Sequence, residues 1–151
     1  MTPAELKQHL RYEPDTGRWF WVKTGKEAGS IEKGRRRVCV FGQRYFASRL
    51  AWFYMKGKWP QRDIDHKNRN PSDDSWSNLR QATRQQNNHN RSRAVNNTSG
   101  HKGVCFDKSR GTWQARIQIG KFMNLGRFKT KEAAAEAYHR AAQEHFGEFA
   151  P

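Results

Sequence analysis

Between Thr112 and Ile119 apolar and polar residues alternate at every step: Trp113, Ala115, Ile117 and Ile119 point one way, Gln114, Arg116 and Gln118 the other. A period of two predicts a strand with one buried face and one wet face. Val104 and Phe106, before the Ser109-Arg110-Gly111 turn, and Met123 and Leu125, after Gly120, predict flanking strands and hence a three-stranded antiparallel sheet. After Thr130 the spacing becomes helical. Ala133, Ala134, Ala137, Tyr138, Ala141 and Ala142 form one stripe that ends before Gly147, and their small side chains let a helix lie close on the sheet.

The first half of the chain is patterned differently. Thr2, Pro3 and Glu5 predict a capped helix over 3–12, stopped by the turn Pro14-Asp15-Thr16-Gly17. Runs 18–22, 36–41 and 44–46 are aromatic and β-branched with glycines between them, the pattern of short antiparallel hairpins. Leu50 to Met55 is apolar at nearly every position and stops at Gly57 and Pro60, predicting a short helix whose aromatics are core. A brief strand over 62–66, a polar loop over 67–77 and a second strand over 78–83 follow. Thr83 and Gln86 have the spacing of a capping box, so a helix is expected from Arg84. Strand, loop, strand and helix would bring Asn87 back beside the end of the first strand. Residues 88–99 are almost without apolar side chains and read as a helix end running into a linker.

The predicted fold class is therefore α+β, with three regions. Residues 1–60 form an N-terminal antiparallel β region packed on the next, 61–95 a strand-strand-helix motif, and 96–151 a three-stranded antiparallel sheet with one helix.

Composition sharpens this. Only 34% of the 151 residues are hydrophobic and the mean hydropathy is −1.13, which suits small modules better than one large core. Lys and Arg number 29 against 14 Asp and Glu, a net charge of +15 spread along the chain. With 13% aromatics, that is the footprint of a folded protein that meets nucleic acid. Lys33, Arg35, Arg36 and Arg37 fall at an expected hairpin tip, free to reach phosphates. Cys39 and Cys105 make neither a disulfide framework nor a zinc ribbon and suit a reducing compartment. The N-terminus has no apolar leader, and no run is long enough to span a bilayer, so a soluble intracellular protein is expected.

Candidate chemistry converges on Asp65-His66, Asn78 and Asn87. Hydrolysis of a phosphodiester needs an activated water and stabilisation of the charge developing on the leaving oxygen, which a histidine and a hard divalent cation can supply. Asp65 offers an anionic oxygen and Asn87 a neutral one, a donor set suited to Mg2+, with Mn2+ as an alternative. His66, on the other side of the strand end, would be available to take a proton. Asn78 is placed to anchor the loop or to orient the imidazole.

These residues resemble the HNH homing endonucleases of phages and introns, with their ββα-metal fold. The pattern D-H-x-N-G-x-x-x-D-N-x-x-x-N-L-R followed by T-x-x-Q-N-x-x-N is met at Asp65, His66, Asn68, Asp73, Asn78, Leu79, Arg80, Thr83, Gln86, Asn87 and Asn90. The resemblance implies that Asp65 and Asn87 bind metal, that His66 is the general base and that Asn78 is structural. The third motif position is asparagine, as in the homing enzymes, where colicin-type relatives have histidine. Arg69 stands where glycine is usual, and Asp74-Ser75 where Asn-Arg is common. The segments Y-E-P-D-T-G-R-W-F-W and R-L-A-W-F-Y-M-K-G-K-W-P are also similar to the N-terminal region of phage HNH proteins.

The C-terminal region resembles the ethylene-response-factor DNA-binding domain, through Gly103-Val104, Trp113-x-Ala115-x-Ile117, Leu125-Gly126-x-Phe128 and the alanine-rich helix up to Phe146-Gly147. That family lays a three-stranded sheet in the major groove. By position, Lys102, Arg116, Gln118 and Asn124 would face DNA, with Arg110, Gln114 and Lys121 nearby. Arg80, Asn90, Arg91 and Arg93, in and after the motif, are counted with the DNA-contacting residues. The expectation is a small, monomeric, phage-encoded endonuclease that nicks or cleaves double-stranded DNA with a divalent metal in the host cytoplasm. The alternative is a non-catalytic, sequence-specific DNA-binding regulator. An RNA-binding structural protein is favoured by charge alone.

Overall fold

A computed structural model describes residues 1–91 and 96–150. The fold class is α+β, built among the described residues from small antiparallel sheets and four α-helices. The chain divides into two compact units, Met1–Arg84 and Gln85–Pro151.

In the first unit α1 (Pro3–His9) begins with the expected box: the Thr2 hydroxyl accepts from the Glu5 amide at 3.2 Å, and the Glu5 carboxylate accepts from the Thr2 amide at 2.6 Å. The helix is shorter than predicted. Leu10 and Tyr12 are buried while Arg11 between them is exposed, so a period of two takes over and 10–13 become strand β1 (Leu10–Glu13). It pairs with β2 (Arg18–Trp21) across the tight 14–17 turn, Leu10 opposite Trp21 and Glu13 opposite Arg18. A three-stranded sheet follows, with β4 (Arg35–Val40) between β3 (Ser30–Glu32) and β5 (Gln43–Phe46). Helix α2 (Ala47–Lys56) starts three residues earlier than its apolar run. It ends on Gly57, whose left-handed φ of 71° lets its amide reach the Phe53 carbonyl at 2.9 Å.

Strands β6 (Asp63–His66) and β7 (Leu79–Ala82) form a two-stranded sheet with Asp65 opposite Arg80 and His66 opposite Leu79. A single 3-10 turn, Trp76–Asn78, leads into β7. One core cluster runs through the unit, from Leu6, Leu10, Trp19 and Val38 to Leu50, Phe53, Ile64 and Leu79. The N-terminal hairpins and the two motif strands thus share a core, which holds the end of β6 fixed.

Helix α3 (Arg84–Asn90) begins where the capping box predicts and carries Asn87, half-buried, in its first turn. The second unit also contains the sheet β8 (Val104–Asp107), β9 (Thr112–Ile119) and β10 (Lys121–Phe128), with β9 central, and α4 (Lys131–Phe146). Ala115 and Ile117 are buried and Arg116 and Gln118 exposed, as the alternation requires. A bulge between Asn124 and Gly126 bends β10. Ala134, Ala135, Ala141 and Ala142 are buried in the sheet-helix unit, and Tyr138 lies so near Gly103 that a Cβ there would stand 2.2 Å from its ring. Among the described residues no helix is long and apolar enough to cross a membrane.

Candidate active site

The end of β6 places Asp65 and His66 side by side, 5% and 7% exposed. Strand pleating sends them to opposite faces, so each meets a different partner. Arg80, directly across the ladder from Asp65, donates from Nε to Asp65 Oδ2 at 2.8 Å. His66 Nε2 lies 2.9 Å from Asp74 Oδ1. Asp74 is only 2% exposed, and its second oxygen, Oδ2, has no hydrogen-bond partner among the described residues.

The loop between the strands is tied by its own side chains. Asn78 Oδ1 accepts from the Asn68 amide at 2.9 Å, while its Nδ2 donates to the Asp73 carbonyl at 2.7 Å. Of the two tasks open to Asn78, the geometry shows loop anchoring. The Asp73 carboxylate accepts from the Ser75 hydroxyl at 2.7 Å and from Asn68 Nδ2 at 2.6 Å. The Ser75 bond, with help from Asn68, holds the Asp73 carboxyl below its usual range. Arg69 has φ of 63° and its amide reaches the His66 carbonyl at 2.9 Å, so arginine occupies the left-handed position that glycine suits.

The N-terminal hairpin grips this loop. The Tyr12 hydroxyl donates to the Asp74 carbonyl at 2.6 Å and the Trp76 amide to the Pro14 carbonyl at 2.7 Å. Gly17, with φ of 70°, has its open side against the same segment: a Cβ would stand 2.3 Å from the Asp74 carbonyl carbon. Burial, then the negative charges of Asp74 and Asp73, pushes the Tyr12 hydroxyl well above its ordinary pKa, so it remains a donor.

Residues 45–89 match the model of the HNH endonuclease family. Protein 3.8 of Escherichia phage T7 is 36% identical over 88 residues, which cover 58% of this chain and 72% of that protein. The chain belongs to the HNH endonuclease family. An uncharacterized HNH endonuclease, L560, of Acanthamoeba polyphaga mimivirus is 36% identical over 135 residues, 88% of this chain and 65% of the mimivirus protein. The HNH homing endonuclease I-HmuI, solved in work on its DNA binding and cleavage, is 28% identical with a TM-score of 0.46, over 54% of this chain and 51% of its own. The chain thus spans about two thirds of the mimivirus protein and half of I-HmuI.

Within this HNH protein the candidate residues fall in both units. Asp65, His66, Asn78 and Arg80 belong to Met1–Arg84, and Asn87 to Gln85–Pro151. Among the described residues no three His, Cys, Asp or Glu side chains cluster as a metal site. A carboxylate such as Asp65 and a carboxamide such as Asn87 are each, by residue type, oxygen donors of the kind a hard divalent cation takes.

Several residues expected to contact DNA have partners within the protein or are buried. Arg80 is buried against Asp65, because its register position points it into the site, and Asn90 is 4% exposed. Lys102 donates to the His89 and Arg91 carbonyls at 2.6 and 2.8 Å. Arg110 is exposed and paired with Asp107 at 3.2 Å. At the β3–β4 tip Lys33 and Arg35 project, but Arg36 is paired with Glu27 at 2.8 Å, and Arg37 lies 3.8 Å from Glu32 and over the Phe46 ring. Arg91 and Lys121 are exposed. Arg93 lies outside the described residues.

The outer face of the C-terminal sheet does bring residues together. Arg116 is opposite Asn124 and Gln118 opposite Phe122, with Gln114 one pair further along. Phe122 is 68% exposed and the Arg116 guanidinium lies over its ring at 5.4 Å. Sequence reasoning passed over Phe122, although an aromatic one pair from the Gly120 turn, in phase with Gln118, was a usable signal. It also passed over the roles of Tyr12, Gly17 and Asp74, which only the fold brings to one place.

Proposed function

We propose that this protein is a divalent-metal-dependent endonuclease that hydrolyses phosphodiester bonds in duplex DNA. The observation that carries the reading is the end of β6, where an adjacent carboxylate and imidazole are both buried and each is engaged by a separate charged side chain. Such pre-held groups suit bond-breaking chemistry better than surface binding. In this reading His66 takes the proton of the attacking water. Asp65 and Asn87 would be the residues to hold the cation, an assignment that rests on residue type and motif spacing alone. Magnesium, or manganese in its place, would stabilise the charge that develops on the phosphate and the leaving oxygen. Asn78 keeps the loop in shape.

DNA is held by the net positive charge and read by the sheet β8–β10. We propose that this sheet works as in ethylene-response-factor domains, with Arg116, Gln118 and Asn124 towards the major groove. A phage homing role for a monomer in the host cytoplasm fits the viral source of two relatives. The exposed sheet face also suits a second reading, a DNA-binding regulator without turnover.

Supercoiled plasmid incubated with and without magnesium separates the two. Wild type should relax or linearise it only with metal, and His66→Ala should lose about 10²–10⁴-fold in rate while binding duplex as before. Absence of metal-dependent cutting, or a His66→Ala variant that cuts at the native rate, overturns the nuclease reading or the base assignment respectively.

A further inference from the structure

We infer that Asp74 is the positioning residue of the active site. It fixes the ring plane and the tautomer of His66, and the N-terminal hairpin exists in part to hold it there. This rests on the proposed role of His66 and adds a second residue to it.

Three observations carry the inference. An ionised carboxylate can only accept, so the 2.9 Å contact with Oδ1 assigns the imidazole proton to Nε2 and leaves the lone pair of the neutral ring on Nδ1. Both side chains are more than nine-tenths buried, so neither rotates without disturbing its surroundings. Oδ2 of Asp74 is buried without a hydrogen-bond partner among the described residues, a cost that loop anchoring alone does not explain, since the loop is already tied by Asn78 and Asp73. An asparagine would leave the ring's tautomer undecided, because its carboxamide can turn either an acceptor or a donor towards Nε2.

The backbone of Asp74 is immobilised from outside the loop. Tyr12 donates to its carbonyl, the amide of Trp76 is bound by Pro14, and Gly17 leaves no space for the segment to retreat. A contact 62 residues apart in sequence thus sets the orientation of an imidazole next to a proposed metal ligand.

The test compares full-length wild type, Asp74→Ala, Asp74→Asn, Tyr12→Phe and His66→Ala on plasmid DNA with magnesium, alongside long-range 1H–15N spectra of the His66 ring. Asp74→Ala should lose about 10- to 100-fold in kcat with KM for DNA changed less than about threefold. Its ring should no longer be confined to the Nε2-protonated tautomer. Asp74→Asn, nearly isosteric and so a guard against misfolding, should fall between it and wild type, and Tyr12→Phe should shift the same way by less. Native kcat in Asp74→Ala, with His66→Ala inactive, overturns the inference and leaves the nuclease reading standing. An unchanged tautomer in Asp74→Ala and Asp74→Asn overturns it as well. If His66→Ala cuts at the native rate, the base assignment fails instead, while the tautomer spectra still report on the pair.

Discussion

The loop between β6 and β7 and the outer face of the β8–β10 sheet are both rich in polar side chains, yet they are built to opposite rules. In the loop the motif side chains are spent on one another: Asn78, Asp73, Asn68 and Asp74 all have specified partners, and the groups at its root are buried. On the sheet Arg116, Gln118 and Asn124 stand exposed; Asn124 Oδ1 accepts from the Gly126 amide at 3.2 Å and from Gln114 at 3.4 Å, and Arg116 stacks on Phe122. Groups that must meet a reacting atom in one geometry are held before it arrives. In the proposed reading, the exposed Arg116 and Gln118 are the groups left to discriminate among base edges.

The largest effect expected from breaking this contrast is on the loop side. Asp65→Ala removes the carboxylate that faces a buried guanidinium, and breaking such a pair costs roughly 3–5 kcal/mol. Adding Arg80→Met should recover much of that loss in urea unfolding. Equal stabilities for the single and double variants would show that Arg80 is well accommodated without Asp65. Metal dependence is therefore better measured on Asp65→Asn, which keeps volume and an oxygen.

Gly17→Ala comes next. A methyl there meets the Asp74 and Ser75 backbone at 2.3 and 2.4 Å in a left-handed conformation, and strain plus overpacking should destabilise by roughly 2–4 kcal/mol. Gly25 has a similar φ of 68° and nothing within 4 Å, so Gly25→Ala should lose only the conformational part, about 1 kcal/mol. A similar drop for both would show that the Gly17 contact relaxes freely.

On the sheet side, Arg116→Ala should reduce discrimination between target and scrambled duplex by roughly 1–3 kcal/mol, whereas Lys33→Ala should weaken binding to both alike. Titrations at fixed salt measure this. Equal losses on the two duplexes for Arg116→Ala would make the face an electrostatic clamp.

How much of this was legible in the sequence follows from range. Local signals worked: the Thr2 and Glu5 box starts α1, the alternation at 112–119 is β9, and Asp65 and His66 close a strand. The same local view extended α1 across Leu10 and Tyr12, because helical caps said nothing about the strand at Arg18 that captures them. It also counted Arg36 and Arg37 as available for phosphates, when Glu27 and Glu32 come to them from other positions of the fold. Asp74 was visible as an unusual residue in the motif. Its meaning depends on Tyr12 and Gly17, about 60 residues away, and no periodicity encodes that approach.

The smallest predicted effect concerns Arg69, the other departure within the loop. It is exposed and holds φ of 63°, where a residue with a Cβ is disfavoured by roughly 1–2 kcal/mol and glycine is not. Glycine gives back part of that advantage through its larger conformational entropy in the unfolded chain, about 0.5–1 kcal/mol. The net expectation for Arg69→Gly is a gain of about 0.5 kcal/mol. Arg69→Ala keeps the backbone strain but loses the same charge as Arg69→Gly, so the difference between the two in urea unfolding isolates the backbone term, and their common effect on DNA affinity isolates the charge. Arg69→Gly no more stable than Arg69→Ala would mean that the loop's other bonds leave position 69 unstrained. If both variants bind duplex less tightly than wild type, the arginine is kept at this strained position for its contact with phosphate, and the loop carries a binding group as well as its held chemistry.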